Sequence, residues 1–322
     1  EKAFQDIAEA RSVSEFAQPG EADFSYAIPG LSRFRVNVFK QRGSISIVCR
    51  AIPFEIRTVE ELGLPPTVTR LAEEQRGIVL VTGTTGSGKS TTLAAMIDHI
   101  NRTRTHHIIT LEDPIEYLHE DKGSIVNQRE IGSDTESFAR AMRRVLRQDP
   151  DVILIGEMCD EETVRTALSA AETGHLVLST VHTLDATETI NRIIDFFPPH
   201  LQHQARVMLA ATLRGAIAQR LVPDLTGEGR VPAAEILVVT GRVQDLIMNP
   251  EETGKITEVI AEGEYYGMST FDQSLLGYVM EGRVAEEVAL DYASSPHDFK
   301  LMLAAGGQRA SGIEQLESPV SQ

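Results

Sequence analysis

Tryptophan is absent from this chain of 322 residues, and cysteine occurs only twice, at Cys49 and Cys159. Two cysteines so far apart in the sequence argue against both a disulfide framework and a cysteine-based zinc site. The nine histidines include no HExxH sequence of the kind that binds zinc in metalloproteases. Such sparse use of cysteine fits a reducing compartment, and we expect the protein to be cytoplasmic.

Basic residues are also few, since 30 lysines and arginines face 47 aspartates and glutamates, for a net charge of −17. A chain this acidic repels phosphate backbones, so we expect no nucleic-acid partner. No apolar run approaches the roughly 20 residues of a membrane span, and no secretory signal opens the chain. We therefore expect no transmembrane segment, and an apolar content of 42% is enough for a folded core.

The N-terminal part of the chain has the pattern of a small β-rich unit. Residues 1–22 look helical and then loop-like, and from Phe24 to Ile52 apolar and polar residues alternate. The turn Gln41-Arg-Gly-Ser44 predicts a β-hairpin. We interpret residues 1–62 as a partial N-terminal domain that lacks some of its natural N-terminus, and residues 63–305 as a second domain.

Short apolar runs separated by helical patterns characterise the second domain. Such runs predict a parallel sheet covered on both faces, and they lie at Ile78–Val81, Ile108–Leu111, Val152–Ile155 and Leu176–Leu178. We predict helices at 133–147, with Ser133 and Glu136 at the spacing of a capping box, and at about 201–221. Residues 306–322 are polar, and we expect them to be a disordered tail.

A glycine-rich segment between the first apolar run and a helix has the sequence of a phosphate-binding loop. The full G-x-x-x-x-G-K-S pattern is matched by Gly83, Thr84, Thr85, Gly86, Ser87, Gly88, Lys89 and Ser90. Glycines let successive backbone N–H groups converge on phosphate oxygens, and the following helix directs its N-terminus there. We expect Lys89 to bind the β- and γ-phosphates of ATP, Ser90 to ligate Mg²⁺ and Thr91 to contact the α-phosphate. The alternative is an ordinary Gly/Ser-rich loop.

Carboxylates follow two of the later apolar runs. Glu157 comes after Val152–Ile155, where it is expected to lie at the ligand-binding edge of the sheet and to hold magnesium or orient water. Glu112, Asp113 and Glu116 follow the run at 108–111, and three acids this close are costly unless they are solvated or bind a cation. A helix cap and an exposed acidic loop are the plainer interpretations.

Two histidines and two arginines complete the candidate site. His175 and His182 bracket the run at 176–178 and are seven positions apart. On a regular strand an odd offset makes them face opposite ways, which argues against a pair of metal ligands. One is a candidate to sense the γ-phosphate and the other to lie at a subunit or domain contact. Arg35 and Arg50 lie on N-terminal strands and are candidates to neutralise the γ-phosphate if that unit closes over the nucleotide.

The order of these motifs resembles the secretion ATPase superfamily, the motors of type II secretion and type IV pili. Gly83–Ser90, Glu112–Glu116, Gly156–Glu157 and Gly174–His182 correspond to its Walker A, Asp box, Walker B and His box. Ala171-Glu-Thr-Gly-His175 and Asn191-Arg-Ile-Ile-Asp-Phe-Phe-Pro198 are similar to the PilT-type pilus retraction ATPases. No four-cysteine insert follows Val222, whereas many pilus assembly and type II secretion ATPases have one there.

The resemblance implies a RecA-like P-loop domain after a PAS-like N-terminal domain, in a homohexamer that holds ATP where the two domains meet. It implies Mg²⁺ as cofactor and an inner-membrane pilus platform protein as partner, at the cytoplasmic face of the membrane. By the motif matches, Glu157, Glu116, His182, Arg35 and Arg50 would be catalytic. Glu112, Asp113 and His175 would join the loop in holding the nucleotide. One departure is Cys159, which stands where the family usually has arginine.

The residues leave rival functions open. A pilus assembly or type II secretion motor would carry the same site, and a nucleotide-gated regulatory module with slow hydrolysis is the alternative of another class. A DNA translocase is disfavoured by the acidic charge. We predict a magnesium-dependent ATPase motor for type IV pilus retraction, the movement that underlies twitching motility.

Overall fold

The computed structural model describes residues 2–8, 10–17, 20–28, 31–52 and 55–306. The tail predicted at 306–322 lies outside the described residues except for Gly306. The strands in these ranges are β1 (Glu21–Ile28), β2 (Ser32–Gln41), β3 (Ser44–Ile52), β4 (Gly77–Thr82), β5 (His107–Glu112), β6 (Ile125–Glu130), β7 (Val152–Ile155), β8 (Leu176–Val181), β9 (Leu213–Pro223) and β10 (Arg230–Val238).

Helices precede the first sheet, cover the second and close the described part of the chain. They are α1 (Lys2–Ile7), α2 (Ala10–Ala17), α3 (Pro66–Ala72), α4 (Lys89–Thr103), α5 (Phe138–Val145), α6 (Glu161–Glu172), α7 (Ala186–Asp195), α8 (Gln202–Thr212), α9 (Gly241–Met248), α10 (Ile256–Glu262), α11 (Phe271–Met280), α12 (Glu286–Tyr292) and α13 (Pro296–Ala304). No helix in the described ranges is both long and apolar enough to cross a membrane.

The N-terminal sheet is antiparallel and has the order β1-β2-β3. Its hairpin turns at Arg42 and Gly43, which both have positive φ, as a two-residue hairpin loop with the twist of the strands requires. Val36 and Val38 alternate along β2 and are fully buried against the helical segment that includes Phe16. The predicted hairpin and its alternating pattern are therefore confirmed.

The larger sheet has the strand order β10-β9-β4-β8-β7-β5-β6. Every pair from β9 to β6 is parallel, and β10 pairs antiparallel with β9 at one edge. The four predicted apolar runs are β4, β5, β7 and β8, and the side chains of β4, β7 and β8 are buried along their whole length. Continuous burial follows because helices cover both faces, which confirms the predicted α/β class.

The helix predicted at about 201–221 is wrong in its second half. α8 ends at Thr212, and Leu213–Pro223 forms β9 beside β4. Ala216, Ile217 and Ala218 are each fully buried, because this strand has covered neighbours on both faces. A strand buried on both faces lacks the alternation that distinguishes strand from helix, so its run of small apolar residues suits either structure.

The start predicted for the helix at 133–147 is also wrong. α5 begins after Ser137, whose Oγ caps it by accepting the Arg140 backbone N–H at 3.2 Å. Ser133, the predicted cap, instead donates to the Glu130 carboxylate at 3.3 Å. The apolar face predicted for this helix is confirmed, since Met142 and Val145 are fully buried.

Candidate active site

The parallel strands bring the candidate residues to one edge of the large sheet. β4, β8, β7 and β5 are consecutive neighbours in the sheet, so their carboxyl ends meet at the same edge. The loop Gly83–Gly88 follows β4, His182 follows β8, Glu157 follows β7, and Asp113 follows β5. Residues that are up to about a hundred positions apart in sequence are therefore placed side by side along this edge.

The loop itself needs its glycines. Gly83, Gly86 and Gly88 have φ of 138°, 81° and 94°, a region that other residues rarely adopt. A Cβ at Gly83 would also lie 2.4 Å from the Gln219 carbonyl oxygen of β9. The loop leads into the 15-residue helix α4, whose first backbone N–H groups face outward from the edge. This is the arrangement that binds phosphate groups.

The Lys89 side chain lies across the loop. Its Nζ donates to the carbonyl oxygens of Gly83 at 2.8 Å and Thr84 at 3.0 Å, and lies 3.5 Å from His182 Nδ1. Burial lowers the pKa of Lys89 from its ordinary value, and the negative charge of Glu157 opposes that shift. The Lys89 ammonium group therefore donates to uncharged carbonyl oxygens. A phosphate oxygen would replace them, because hydrogen bonds between charged groups are stronger.

The His182 ring lies between Lys89 and Glu157. Its Nε2 is 3.5 Å from Glu157 Oε1, while its Nδ1 faces Lys89. A neutral imidazole with its proton on Nε2 would donate toward Glu157 and accept from Lys89. The ring thus connects the phosphate-binding cation to the carboxylate expected to orient water.

The acidic segment after β5 contains one buried and two more accessible carboxylates. Glu112 is buried, and burial raises its pKa. Its Oε1 accepts from Thr110 Oγ1 at 2.7 Å, and its Oε2 accepts from the Glu116 N–H at 3.2 Å. Both oxygens are therefore engaged within the chain, where they hold the loop that carries Asp113 and Glu116. The expected contact between Glu112 and the nucleotide stays a prediction.

The two N-terminal arginines lie side by side. Arg35 and Arg50 are direct partners in the β2–β3 register, so their side chains share one face of the sheet. Arg35 Nη1 is 3.8 Å from Glu116 Oε1, which places this face against the acidic loop. Arg50 is exposed, and no hydrogen bond or ion pair engages its side chain within the described ranges.

His175 does not join this group. It precedes β8, whereas His182 follows β8, and seven residues of extended chain span roughly 23 Å. Its Nδ1 lies 2.9 Å from the Ala170 carbonyl oxygen at the amino edge of the sheet. The structure thus places His175 at the edge opposite the loop of its own subunit, and its expected contact with a nucleotide stays a prediction, as does the alternative of a subunit or domain contact.

Ser90 and Glu157 are the residues expected to hold magnesium. Ser90 is exposed in the first turn of α4, and Glu157 lies two strands away at the same edge. No cluster of three or more His, Cys, Asp or Glu side chains suited to a metal occurs in the described part of the chain. This donor set fits Mg²⁺, which prefers one or two protein ligands together with substrate phosphates and water.

Thr91 and Gln219 shape the far side of the loop. Thr91 Oγ1 lies 2.8 Å from the Tyr117 hydroxyl, next to the acidic segment. Gln219 Oε1 accepts from Thr92 Oγ1 at 2.7 Å, and its Nε2 lies 2.8 Å from where a Cβ at Gly88 would be. The sequence interpretation missed Gln219 because it placed this residue on a helix, since the apolar run Ala216–Ala218 before it suits helix and strand alike.

The chain is similar in sequence to known proteins over most of its length. The family model described as type II/IV secretion system protein matches residues 5–289. The type IV pilus retraction ATPase PilT of Pseudomonas aeruginosa is 46% identical over 294 residues, which cover 91% of this chain and 85% of the relative. A twitching motility protein of Neisseria gonorrhoeae is 48% identical over 274 residues, covering 85% and 73%.

A solved structure gives the same result for the fold. The crystal structure of the pilus retraction motor PilT with bound ADP superposes with a TM-score of 0.86 at 46% identity. The match covers 94% of this chain and 85% of that chain. It therefore includes both the N-terminal sheet and the large parallel sheet.

Proposed function

Because this chain belongs to the family of type II/IV secretion system proteins, we propose that it is an ATP-hydrolysing motor that powers type IV pilus retraction. The family and fold predicted from the motif order are confirmed by these matches. The observation that carries the proposal is the convergence of Lys89, His182 and Glu157 at one sheet edge. Similarity to retraction proteins over most of the chain supports the biological role.

Each residue of the edge has a part in the proposed reaction. Lys89 exchanges its carbonyl contacts for the β- and γ-phosphates of ATP, and the loop N–H groups bind the remaining oxygens. Ser90 and Glu157 would hold Mg²⁺, directly or through water, and the bound ion would supply positive charge that neutralises the phosphates. Glu157 orients the attacking water. The His182 ring, which lies between Glu157 and Lys89, holds the Glu157 carboxylate in place relative to the Lys89 ammonium group. When the ion pair between Arg35 and Glu116 breaks, the Arg35 side chain can reach the γ-phosphate, and Arg50 lies beside Arg35.

The assembly follows the same proposal. We propose a homohexamer at the cytoplasmic face of the inner membrane, in contact with a pilus platform protein. ATP is held where the N-terminal domain, residues 1–62, meets the RecA-like domain, residues 63–305. Hydrolysis moves the first domain against the second, and the ring transmits that motion to the pilus base.

Steady-state phosphate release by the full chain, with ATP and Mg²⁺, tests the enzymatic part. Replacement Lys89→Ala removes the phosphate-binding cation and should lower kcat/KM at least about a hundredfold. Lys122→Ala is the matched control, because Lys122 pairs with Asp98 on the far side of α4. Equal turnover by the wild type and Lys89→Ala would contradict the site.

The cellular role needs a separate experiment. Deleting the gene should leave surface pili that no longer retract, as single-cell imaging of labelled pili would show. Loss of surface pili would instead indicate an assembly motor, and loss of an exported protein would indicate a secretion motor. Pili that still retract in the deletion strain would contradict the proposed role.

A further inference from the structure

A buried glutamate joins the N-terminal sheet to the acidic loop of the active edge. Glu130 ends β6 and is 4% exposed. Two N-terminal side chains donate to it: Ser25 Oγ at 2.9 Å to Oε1 and 3.0 Å to Oε2, and Arg33 Nη2 at 3.0 Å to Oε2. The function described above assigns no role to any of these three residues.

The same carboxylate also binds the loop that carries Glu116. The Ile115 backbone N–H donates to Glu130 Oε2 at 3.1 Å, and Ser133 Oγ donates to Oε1 at 3.3 Å. One buried group therefore takes donors from the N-terminal sheet and from the acidic loop at once. A buried carboxylate left without such donors would be costly, so the two partners are held together.

The register of the sheet makes this contact relevant to Arg35. Arg33 and Arg35 are two positions apart on β2 and so share a face, and Ser25 is the direct partner of Arg35 across β1–β2. Ile115 immediately precedes Glu116. Glu130 thus holds residues next to Arg35 and next to Glu116. These two side chains form an ion pair in which Arg35 Nη1 is 3.8 Å from Glu116 Oε1.

We propose that Glu130 is a positioning residue that couples the placement of the N-terminal sheet to that of the acidic loop. By holding Ser25, Arg33 and Ile115 together, it sets the approach of Arg35 to the nucleotide edge. This inference rests on the proposed ATPase function, since Arg35 matters only if phosphate is transferred there.

The chain carries a natural pair of reporters for this coupling. Its two cysteines are Cys49 on β3 of the N-terminal sheet and Cys159 beside the Walker B glutamate, and both are exposed. Spin labels on these thiols report the distance between the two units by pulsed electron resonance. Labelled subunits are diluted into unlabelled Cys49→Ser/Cys159→Ser subunits, so that distances within one subunit dominate.

Replacement Glu130→Gln keeps the shape of the side chain and removes its charge. We expect a broader label distance distribution and a kcat lowered about tenfold, with KM for ATP within about twofold, because the loop that binds phosphate is untouched. Ser25→Ala deletes one hydroxyl group of the N-terminal sheet. It should also broaden the distance distribution and lower kcat, but by less than Glu130→Gln does. Glu136→Gln is the matched control, since Glu136 is exposed and its one ion pair among the described residues is with Arg140.

The outcomes separate this inference from the function on which it rests. An unchanged distance distribution in Glu130→Gln overturns the positioning role, whether or not kcat falls. A broadened distribution in Glu130→Gln, found together with a wild-type protein that hydrolyses no ATP, leaves the coupling intact and overturns the proposed function. A broadened distribution with unchanged kcat overturns the link from Glu130 to Arg35.

Discussion

The amino and carboxyl edges of the large sheet have similar types of side chain, but different ends of the helices meet them. At the amino edge, Arg104, His106, Asp151 and His175 line a cavity of about 620 Å³. The cavity beside the loop at the carboxyl edge is about 280 Å³. Charged and imidazole side chains thus occur at both edges, and the larger cavity lies at the edge without the glycine-rich loop. Cavity size alone would therefore have favoured the amino edge.

The backbone explains why the smaller cavity is the better candidate. Parallel strands run into helices at their carboxyl ends, so helix N-termini such as that of α4 gather there, with unpaired N–H groups and positive partial charge. The amino edge receives helix C-termini, whose carbonyl groups repel phosphate. An anionic substrate is therefore favoured at the carboxyl edge before any side chain is considered.

The largest expected effect belongs to the carboxylate of the favoured edge. Glu157→Gln keeps the volume of the side chain but removes its basicity and its charge toward magnesium, so kcat should fall about a thousandfold in steady-state phosphate release. Glu162→Gln is the control, because Glu162 is an exposed glutamate on α6 that pairs with Arg143. Near-normal turnover by Glu157→Gln would remove this residue from the mechanism.

The N-terminal arginines test whether a second unit completes the edge. Arg35→Gln removes the cation 3.8 Å from Glu116, and we expect kcat to fall about a hundredfold, with Arg50→Gln in the same direction. Arg42→Gln is the control, since Arg42 lies in the hairpin turn at the far end of β2. If Arg35→Gln and Arg50→Gln both hydrolyse ATP as fast as the Arg42→Gln control, the charge of the phosphates is neutralised by other residues.

The two ends of β8 give the most direct comparison of the edges. His182→Gln should lower kcat about tenfold, because it removes the ring between Lys89 and Glu157. His175→Gln should leave the affinity of a subunit for ADP within about twofold, because its ring lies at the other edge. Calorimetry with ADP measures the second value, and a large loss of affinity there would place His175 back at the nucleotide.

The sequence predicted the parts of the fold whose patterns are unambiguous. β4, β5, β7 and β8 contain unbroken apolar runs, and the loop after β4 matches a complete motif, so the candidate site at the carboxyl edge was largely predictable. β9 was missed because Ala216–Ala218 suits helix and strand alike. β6 was not predicted, since its residues Ile125–Glu130 form an edge strand and are mostly polar. The role proposed for its last residue, Glu130, depends on contacts with Ser25 and Arg33, which are more than ninety positions away in the sequence.

The position of His175 shows the same limit. Spacing on β8 predicted that the two histidines face different ways, but the resemblance assigned both to the nucleotide. Only the direction of the strand in the sheet decides which end meets the loop. Long-range pairing of this kind is set by tertiary structure, which no local pattern contains.

The smallest effect expected at the active edge concerns a glutamate behind it. Glu235 on β10 is 6% exposed, and its Oε1 accepts the backbone N–H of Ala186, the first residue of α7, at 2.8 Å. Burial raises the pKa of Glu235 to about 7 from an ordinary value of 4.5. The folded state therefore holds this proton more tightly than the unfolded chain does. The associated stability is fully present below about pH 4.5 and is lost as the pH rises through about 7.

Glu235→Gln keeps an oxygen for the Ala186 N–H and cannot ionise. Its free energy of unfolding relative to wild type should therefore rise by about 3 kcal/mol between about pH 4.5 and pH 8, with turnover nearly unchanged. Urea unfolding across this range measures the shift, and Glu228→Gln, at an exposed loop position, is the control. A difference that stays constant with pH would mean that the pKa of Glu235 is the same in the folded and unfolded chains, so that the buried group is ionised at neutral pH. The helix after His182 would then be anchored by a charge rather than by a protonated acid.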